Sequence, residues 1–364
     1  MSLIYDEGQL AIAAESRRVL EARVKPEQML ALLEQQGEYH APFWETAKEQ
    51  GWTALALPEA YGGLDLSLVE LGLIALQAGR SLAGAPFLTS SYGTGRAILD
   101  HGPDDLKNAW LPRLASGAAI GATAFAEGQE VVPASSAVSF GNGVLNGAKP
   151  AVSAGSRADV AIVLAQEAGT PVLALADLSA VERQQFNTFD NSRCTANLVF
   201  LDTPATVLAT GQQALDAALH ILALQAVVTA HEQTGGAEVL MERARDYANM
   251  RRAFGQVIGA FQSVKHRIAE LYGLVELARA GALHAATLEG QPGFLKATAA
   301  ARIQATEAYD TAARDCVQVH GGIGVTWEGG LHLHQRRTRT LAVEQGNMLF
   351  WEDVLVDQLT GESA

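Results

Sequence analysis

Cysteine is scarce in this sequence: Cys194 and Cys316 are the two in 364 residues, far apart and outside any paired motif. That excludes a disulfide framework and a cysteine-built zinc site, and it suits a reducing compartment. Positive charge is also short, with 26 Lys and Arg against 40 Asp and Glu, for a formal net charge of −14. So acidic a body is a poor counterion-releasing surface, and no nucleic-acid partner is expected. A local set of Arg side chains and helix N-termini can still hold a small anion. Uninterrupted apolar runs are short too: the longest candidate, around Ala217–Ala230, is broken by His220 and Gln225, so no membrane insertion is expected. The opening MSLIYDEGQL lacks the basic-then-apolar pattern of a secretory leader. The expectation is a cytoplasmic protein.

What is present is a globular composition, 48% hydrophobic and 18% charged. Up to about Gly121 the apolar positions recur every three or four residues, as in QLAIAAESRRVLEARV, PEQMLALLEQQG, HAPFWETAKEQGW and SLVELGLIALQAGRSLA. That spacing predicts helices. Their breaks are Gly- and Pro-rich turns at Leu57–Gly63 and Gly84–Pro86. Ser67 followed by Glu70 suits a helix start. From about Ala122 the runs shorten and fill with Val, Leu and Ala between turn residues, as in DVAIVLAQ, TPVLALADL and TANLVFLD. These read as strands of a small antiparallel barrel or sandwich. Long helical patterns return from about Gln212, interrupted by GQPG at 290–293 and GGIG at 321–324; helices of that length bury themselves most simply as a four-helix bundle. The expected class is α+β: an N-terminal helical domain (1–121), a middle β-domain (122–208) and a C-terminal bundle (209–364).

Several motifs in this order carry a resemblance. Gly51-Trp52 leads into Pro58-Glu59-Ala60-Tyr61-Gly62-Gly63, and Trp110–Gly117 reads WLPRLASG. Arg251-Arg252-Ala253-Phe254-Gly255-Gln256 is followed by Ile258-Gly259 and Phe261-Gln262, then by Val317-Gln318-Val319-His320-Gly321-Gly322-Ile323-Gly324. Together they resemble the acyl-CoA dehydrogenase family over nearly the whole chain. The resemblance implies FAD, a CoA thioester substrate, and α,β-dehydrogenation by α-proton abstraction with β-hydride transfer to the flavin. It also implies an electron-transfer flavoprotein as acceptor, and an oligomer, homo- or hetero-, expected to be a tetramer, in which these two motifs reach FAD held mainly by a neighbouring subunit. The residue chemistry suits that role. Arg251 offers a forked donor for phosphate oxygens, Phe254 an aromatic face, and Gly255, Gly321 and Gly322 let backbone approach a ligand closely. Gln262 and Gln318 complete the cofactor-binding set, and Asp246 and Tyr247 are expected to support the helix that carries Arg251.

In the β-domain the resemblance places backbone near Phe125 and Ala126 against the isoalloxazine and the Ser153 hydroxyl near its N5. Here the sequence departs from the family. Ala126 stands where Thr is usual and Ala151 where an aromatic is usual; the Gly-Ser-Asp after the first motif is replaced by Gly128-Gln129-Glu130. A carboxylate must take the α-proton, yet Gln345 and Gln225 occupy the two places where the family puts its Glu. Glu232, two helical turns beyond Gln225 on the same face, is the candidate base. Two readings follow: a working dehydrogenase with a relocated base, acting in lipid or steroid side-chain catabolism, or a non-catalytic partner subunit completing the FAD site of a catalytic one. His332 and His334, at i, i+2, do not share a helix face, so no metal site is expected.

Overall fold

The computed structural model describes residues 5–33, 35, 38–83 and 87–361. Helices come first: α1 (Glu7–Arg23), α2 (Pro26–Leu32), α3 (Ala41–Glu49), α4 (Leu68–Arg80), α5 (Phe87–His101) and α6 (Asp104–Ala115). Seven strands follow: β1 (Gly121–Ala124), β2 (Ser139–Gly141), β3 (Val144–Val152), β4 (Val160–Glu167), β5 (Thr170–Asp177), β6 (Glu182–Gln185) and β7 (Ala196–Thr210). The chain then returns to helix in α7 (Gln212–Met250), α8 (Gln262–Thr287), α9 (Phe294–His320), α10 (Leu331–Leu341) and α11 (Met348–Thr360), with a short hairpin, β8 (Arg252–Ala253) and β9 (Gln256–Val257), between α7 and α8. The helix–strand–helix order is the one the periodicity predicts. The turn expected at 84–86 lies outside the described residues.

The chain divides into two compact units, neither contiguous in sequence. A barrel unit gathers Ala31–Leu71 and Gly84–Gln225; a bundle unit gathers the chain up to Leu30, Gly72–Ala83 and the chain from Ala226. Residues from the first 121 contribute to both units.

In the barrel unit, β4, β2, β3, β7 and β5 pair in turn and β5 returns to β4, closing a ring. Most pairings are antiparallel, but β1 and β2 both run parallel to β4, a mixed character that alternation alone does not reveal. The period-2 pattern sorts β4 cleanly. Val160, Ile162 and Leu164 face a core shared with Ile98 and Leu111 from the helices and Leu57 from the turn after α3. Ala161, Val163 and Ala165 face the barrel interior with Leu145, Leu198 and Phe200. Ala161 and Ala165 leave room on the inner face for Leu145, Leu198 and Phe200. Ser67 opens α4 as expected: its N–H and hydroxyl both meet the Glu70 carboxylate, and its hydroxyl accepts from Val69 N–H.

In the bundle unit, α9 buries a stripe of Ala297, Ala301, Ala305, Ala308 and Ala312, small residues that let neighbouring helices approach. The crossing of α4 and α7 is closer still. A methyl added at Gly79 would lie 1.9 Å from the Glu232 carbonyl oxygen, and one at Gly235 would lie 1.9 Å from the Leu76 carbonyl oxygen. Backbone meets backbone there, so only glycine fits. α7 is long and apolar enough to cross a membrane, but 78% of its most apolar window is buried in the protein; it is a core helix.

Candidate functional site

The bundle unit brings the two C-terminal motifs together. Arg251 closes α7 by donating its N–H to the Tyr247 carbonyl (2.8 Å), and its own carbonyl accepts the Ile258 N–H (2.8 Å). Between these bonds β8 and β9 pair in the register Arg252↔Val257 and Ala253↔Gln256, leaving a two-residue loop. Its residues, Phe254 (φ 52°) and Gly255 (φ 83°), both take positive φ, as a type I′ turn requires. Glycine accepts that conformation freely, whereas a bulky residue there is an outlier that points to function. Phe254 is 95% exposed and meets Phe261 edge-on, ring centroids 6.2 Å apart. Gln262, exposed, is the first residue of α8.

The Tyr247 ring stacks on His320 at 4.2 Å, which sets the end of α7 beside the end of α9. There Gln318 is exposed, Gly321 has φ 61°, and a methyl at Gly321 or Gly322 would meet nothing within 4 Å. Arg251 and Gln318 offer side-chain donors, and the open glycine backbone leaves room for a flat or phosphorylated ligand. The donor chemistry and open backbone fit the dinucleotide tail of FAD.

The β-domain residues that the resemblance names are partly engaged within the fold. Phe125 is buried at the end of β1, its ring in the core shared with the helices, and its carbonyl already accepts from Lys149 Nζ (2.9 Å). Lys149, fully buried, also reaches Glu127 (2.5 Å) and Ser136 (3.3 Å). Burial pushes its ammonium below the usual lysine value, against the pull of Glu127. Burial alone would raise the Glu127 carboxyl, but donors from Lys149, Ser136 and the Ala137 N–H hold it below the usual carboxylate range. Gly128 and Gln129 form a tight turn closed by reciprocal bonds between Glu127 and Glu130. Ala126 is exposed and Ser153 half-buried. Ala151 sits at φ 50°, exposed, with its N–H bound to Asn197 Oδ1 (2.9 Å). Its backbone donor is spent within the fold, and its methyl offers no stacking ring.

The three candidate base positions are all engaged. Gln225, fully buried, accepts from Thr123 Oγ1 (3.0 Å) and donates to the Thr89 carbonyl (3.3 Å). Gln345, at φ 53°, accepts from Thr229 Oγ1 (2.9 Å), and its carbonyl takes Trp351 Nε1 (2.9 Å). Glu232 is 5% exposed and meets Arg337 Nη1 at 2.8 Å; Arg337 in turn donates to the carbonyls of Leu82 and Ala83. To receive a substrate proton, Glu232 would have to leave a buried guanidinium without its counter-charge, an unfavourable exchange.

Sequence reasoning missed Arg302. Fully buried, it donates to Gln233 and, through Nη2, to the carbonyls of Leu341, Glu344 and Gly346. It clamps the loop that carries Gln345, and burial pushes its guanidinium down to about 10. An Arg in an alanine-rich helix (TAAARIQA) was the available signal. The Lys149–Glu127 pair also went unread, because partners 22 residues apart show no spacing rule.

Comparison with known proteins completes the description. The sequence profile of the acyl-CoA dehydrogenase N-terminal domain matches residues 6–118, and that of the C-terminal domain matches 215–348. The chain is 32% identical over 304 residues to the acyl-CoA dehydrogenase IpdE2 of Mycobacterium tuberculosis, covering 82% of this chain and 80% of that protein. Among solved structures, butyryl-CoA dehydrogenase from Megasphaera elsdenii superposes with a TM-score of 0.88 at 20% identity, over 99% of this chain and all of that one. A chain of the ChsE4–ChsE5 complex from Mycobacterium tuberculosis gives 0.88 at 22% identity over the full length of both. At those identities the structural likeness speaks to the fold.

Proposed function

Since this chain belongs to the acyl-CoA dehydrogenase family, an oxidoreductase family acting on acyl-CoA, we propose that it serves the α,β-dehydrogenation of a CoA thioester as the nucleotide-clasping subunit of a hetero-oligomer. The observation that carries this reading is the outward-facing clasp: Phe254, 95% exposed at positive φ, on a hairpin pinned beside the Gln318–Gly322 turn by the Tyr247–His320 stack. A lone chain gains nothing from an aromatic ring held in solvent. An acceptor site completed on a neighbouring chain gives that ring a contact.

FAD, when bound, supplies the hydride acceptor. In this reading Arg251 and Gln318 bind phosphate oxygens, Phe254 covers an aromatic face, and Gln262 and Gly321–Gly322 hold the tail against the ends of α7 and α9. Ala126, Ser153 and Phe125 line a second shelf that lacks a stacking side chain, so the catalytic flavin is placed on the partner's β-domain. The base is placed there too, because Gln225, Gln345 and Glu232 are each tied into this fold. The proposed setting is a cytoplasmic assembly, a tetramer by family pattern, acting on a lipid- or steroid-derived acyl-CoA and passing electrons to an electron-transfer flavoprotein.

The visible spectrum of the purified chain tests this, alone and after co-expression with the products of adjacent genes. Flavin colour appearing only with a partner supports the reading. A yellow lone chain that bleaches on adding an acyl-CoA overturns it. In the coloured complex Arg251→Ala should lower FAD affinity at least tenfold, the expected loss of a charge-assisted phosphate contact of about 1.5–3 kcal/mol; unchanged occupancy after dialysis would remove Arg251 from the clasp.

A further inference from the structure

A cavity lies wholly within the bundle unit, away from the clasp. It is about 520 Å³, walled by α1 and the start of α2, the end of α4, the Val239–Arg243 face of α7 and the turn before α10. That volume falls in the range of small-molecule sites. Its floor is apolar, made by Leu20, Val24, Met29, Leu82 and Leu333, each less than a tenth exposed.

Two polar groups on this wall lack the partners their neighbours have. Gln77 lines the cavity at 8% exposure, and its Oε1 is buried with no hydrogen-bond donor. A buried amide oxygen left unpaired is costly, so the site favours a ligand that brings a donor. Four cations line the cavity, and three are engaged: Arg17 pairs with Glu21, Arg80 with Glu238 and Glu242, and Lys25 Nζ donates to the Glu21 carbonyl. Arg243, half-buried, makes no ion pair among the described residues. Beside it α10, eleven residues long, begins at Leu331 after the Gly330 cap, and a helix N-terminus favours negative charge. Glu27 and Glu328, also in the lining, oppose a ligand of several negative charges and limit the anion to one.

From this combination we infer that the cavity binds a monocarboxylic acid whose apolar body carries a hydroxyl or amide N–H: carboxylate on Arg243, donor on Gln77 Oε1, hydrocarbon on the leucine floor. The free acid, lacking the nucleotide of CoA, is the form that fits the Arg243 guanidinium. The site is independent of the cofactor clasp and of the subunit reading above, because its occupancy is measured without turnover.

Calorimetry and saturation-transfer NMR on the full chain, with ω-hydroxydodecanoate as probe, test it. Saturable binding is expected, weakened tenfold or more in its methyl ester and severalfold in dodecanoate, which lacks the hydroxyl. Arg243→Gln should reproduce the first loss and Gln77→Leu should abolish the preference for the hydroxy acid. The ligand series uses the unaltered protein, so it decides the matter even if a variant folds poorly. No saturable binding, or equal affinity for acid, ester and unhydroxylated chain, overturns the proposal.

Discussion

At the scale of single residues, amides stand at the two places where the resemblance leads one to expect a carboxylate. Two amides, Gln225 and Gln345, each accept a threonine hydroxyl, from Thr123 and Thr229, so neither is a carboxylate awaiting a proton. Glu232 is a carboxylate, but its partner is Arg337. Removing one member of a buried pair leaves an uncompensated charge. Glu232→Ala is therefore expected to cost about 3–5 kcal/mol in denaturant unfolding, with much of it restored in the Glu232→Leu/Arg337→Leu double variant. In the assembled enzyme Glu232→Gln should leave kcat within a few-fold; a fall of a thousandfold or more would make Glu232 the base and refute the subunit reading.

His231 sets an acid limit on the same helix. Burial pushes its imidazole down to about 4, although its Nδ1–H donates to the Val227 carbonyl at 2.8 Å. Unfolded, it titrates near about 6.5. Between those values the unfolded chain binds the proton and the folded chain does not. Stability is therefore intact above pH 6.5 and falls as pH drops toward 4, by about 3 kcal/mol from this residue. Thermal melts across that window should show the loss, with a shallower slope in His231→Gln.

At the scale of elements, glycine contacts fix how α4 meets α7. Gly79 and Gly235 each touch a carbonyl of the opposite helix, so a single methyl forces the axes apart. Gly235→Ala is expected to destabilise by about 3 kcal/mol or more, at the upper end for overpacking, measured by urea unfolding; Gly273→Ala, in α8 with open space around it, is the control and should stabilise by about 0.5–1 kcal/mol. The β8–β9 hairpin behaves oppositely. Phe254→Ala removes a ring that solvent surrounds, so folding stability should stay within about 0.5 kcal/mol while cofactor retention by the complex drops. A large loss of stability would mean the ring serves the fold and not a ligand.

At the scale of the molecule, the order of helix, strand and helix is written in apolar spacing, and alternation along Val160–Ala165 sorts the strand's two faces. The motifs flagged as a clasp, Arg251–Gln262 and Gln318–Gly322, meet at one end of the bundle unit, although they are more than fifty residues apart. What spacing could not convey is which buried charges find each other. Lys149 with Glu127, Glu232 with Arg337, and Arg302 with three carbonyls are products of tertiary packing. The division into units was also hidden, because helices with ordinary amphipathic patterns can pack on either side. Sequence marks a helix's apolar face but not the surface it meets.

That division bears on biosynthesis. The helix at the amino end belongs with Gly72–Ala83 and with a segment that begins only at Ala226. At about 5–20 residues per second, the ribosome needs roughly 10–40 s to supply the intervening 200 or so residues. For that interval Val19 and Leu20, buried in the finished protein, have only the Gly72–Ala83 segment of their own unit to dock on. A nascent chain stalled before Ala226 should be captured by hydrophobic-binding chaperones through its first helix, and release should follow once α7 and α9 have emerged.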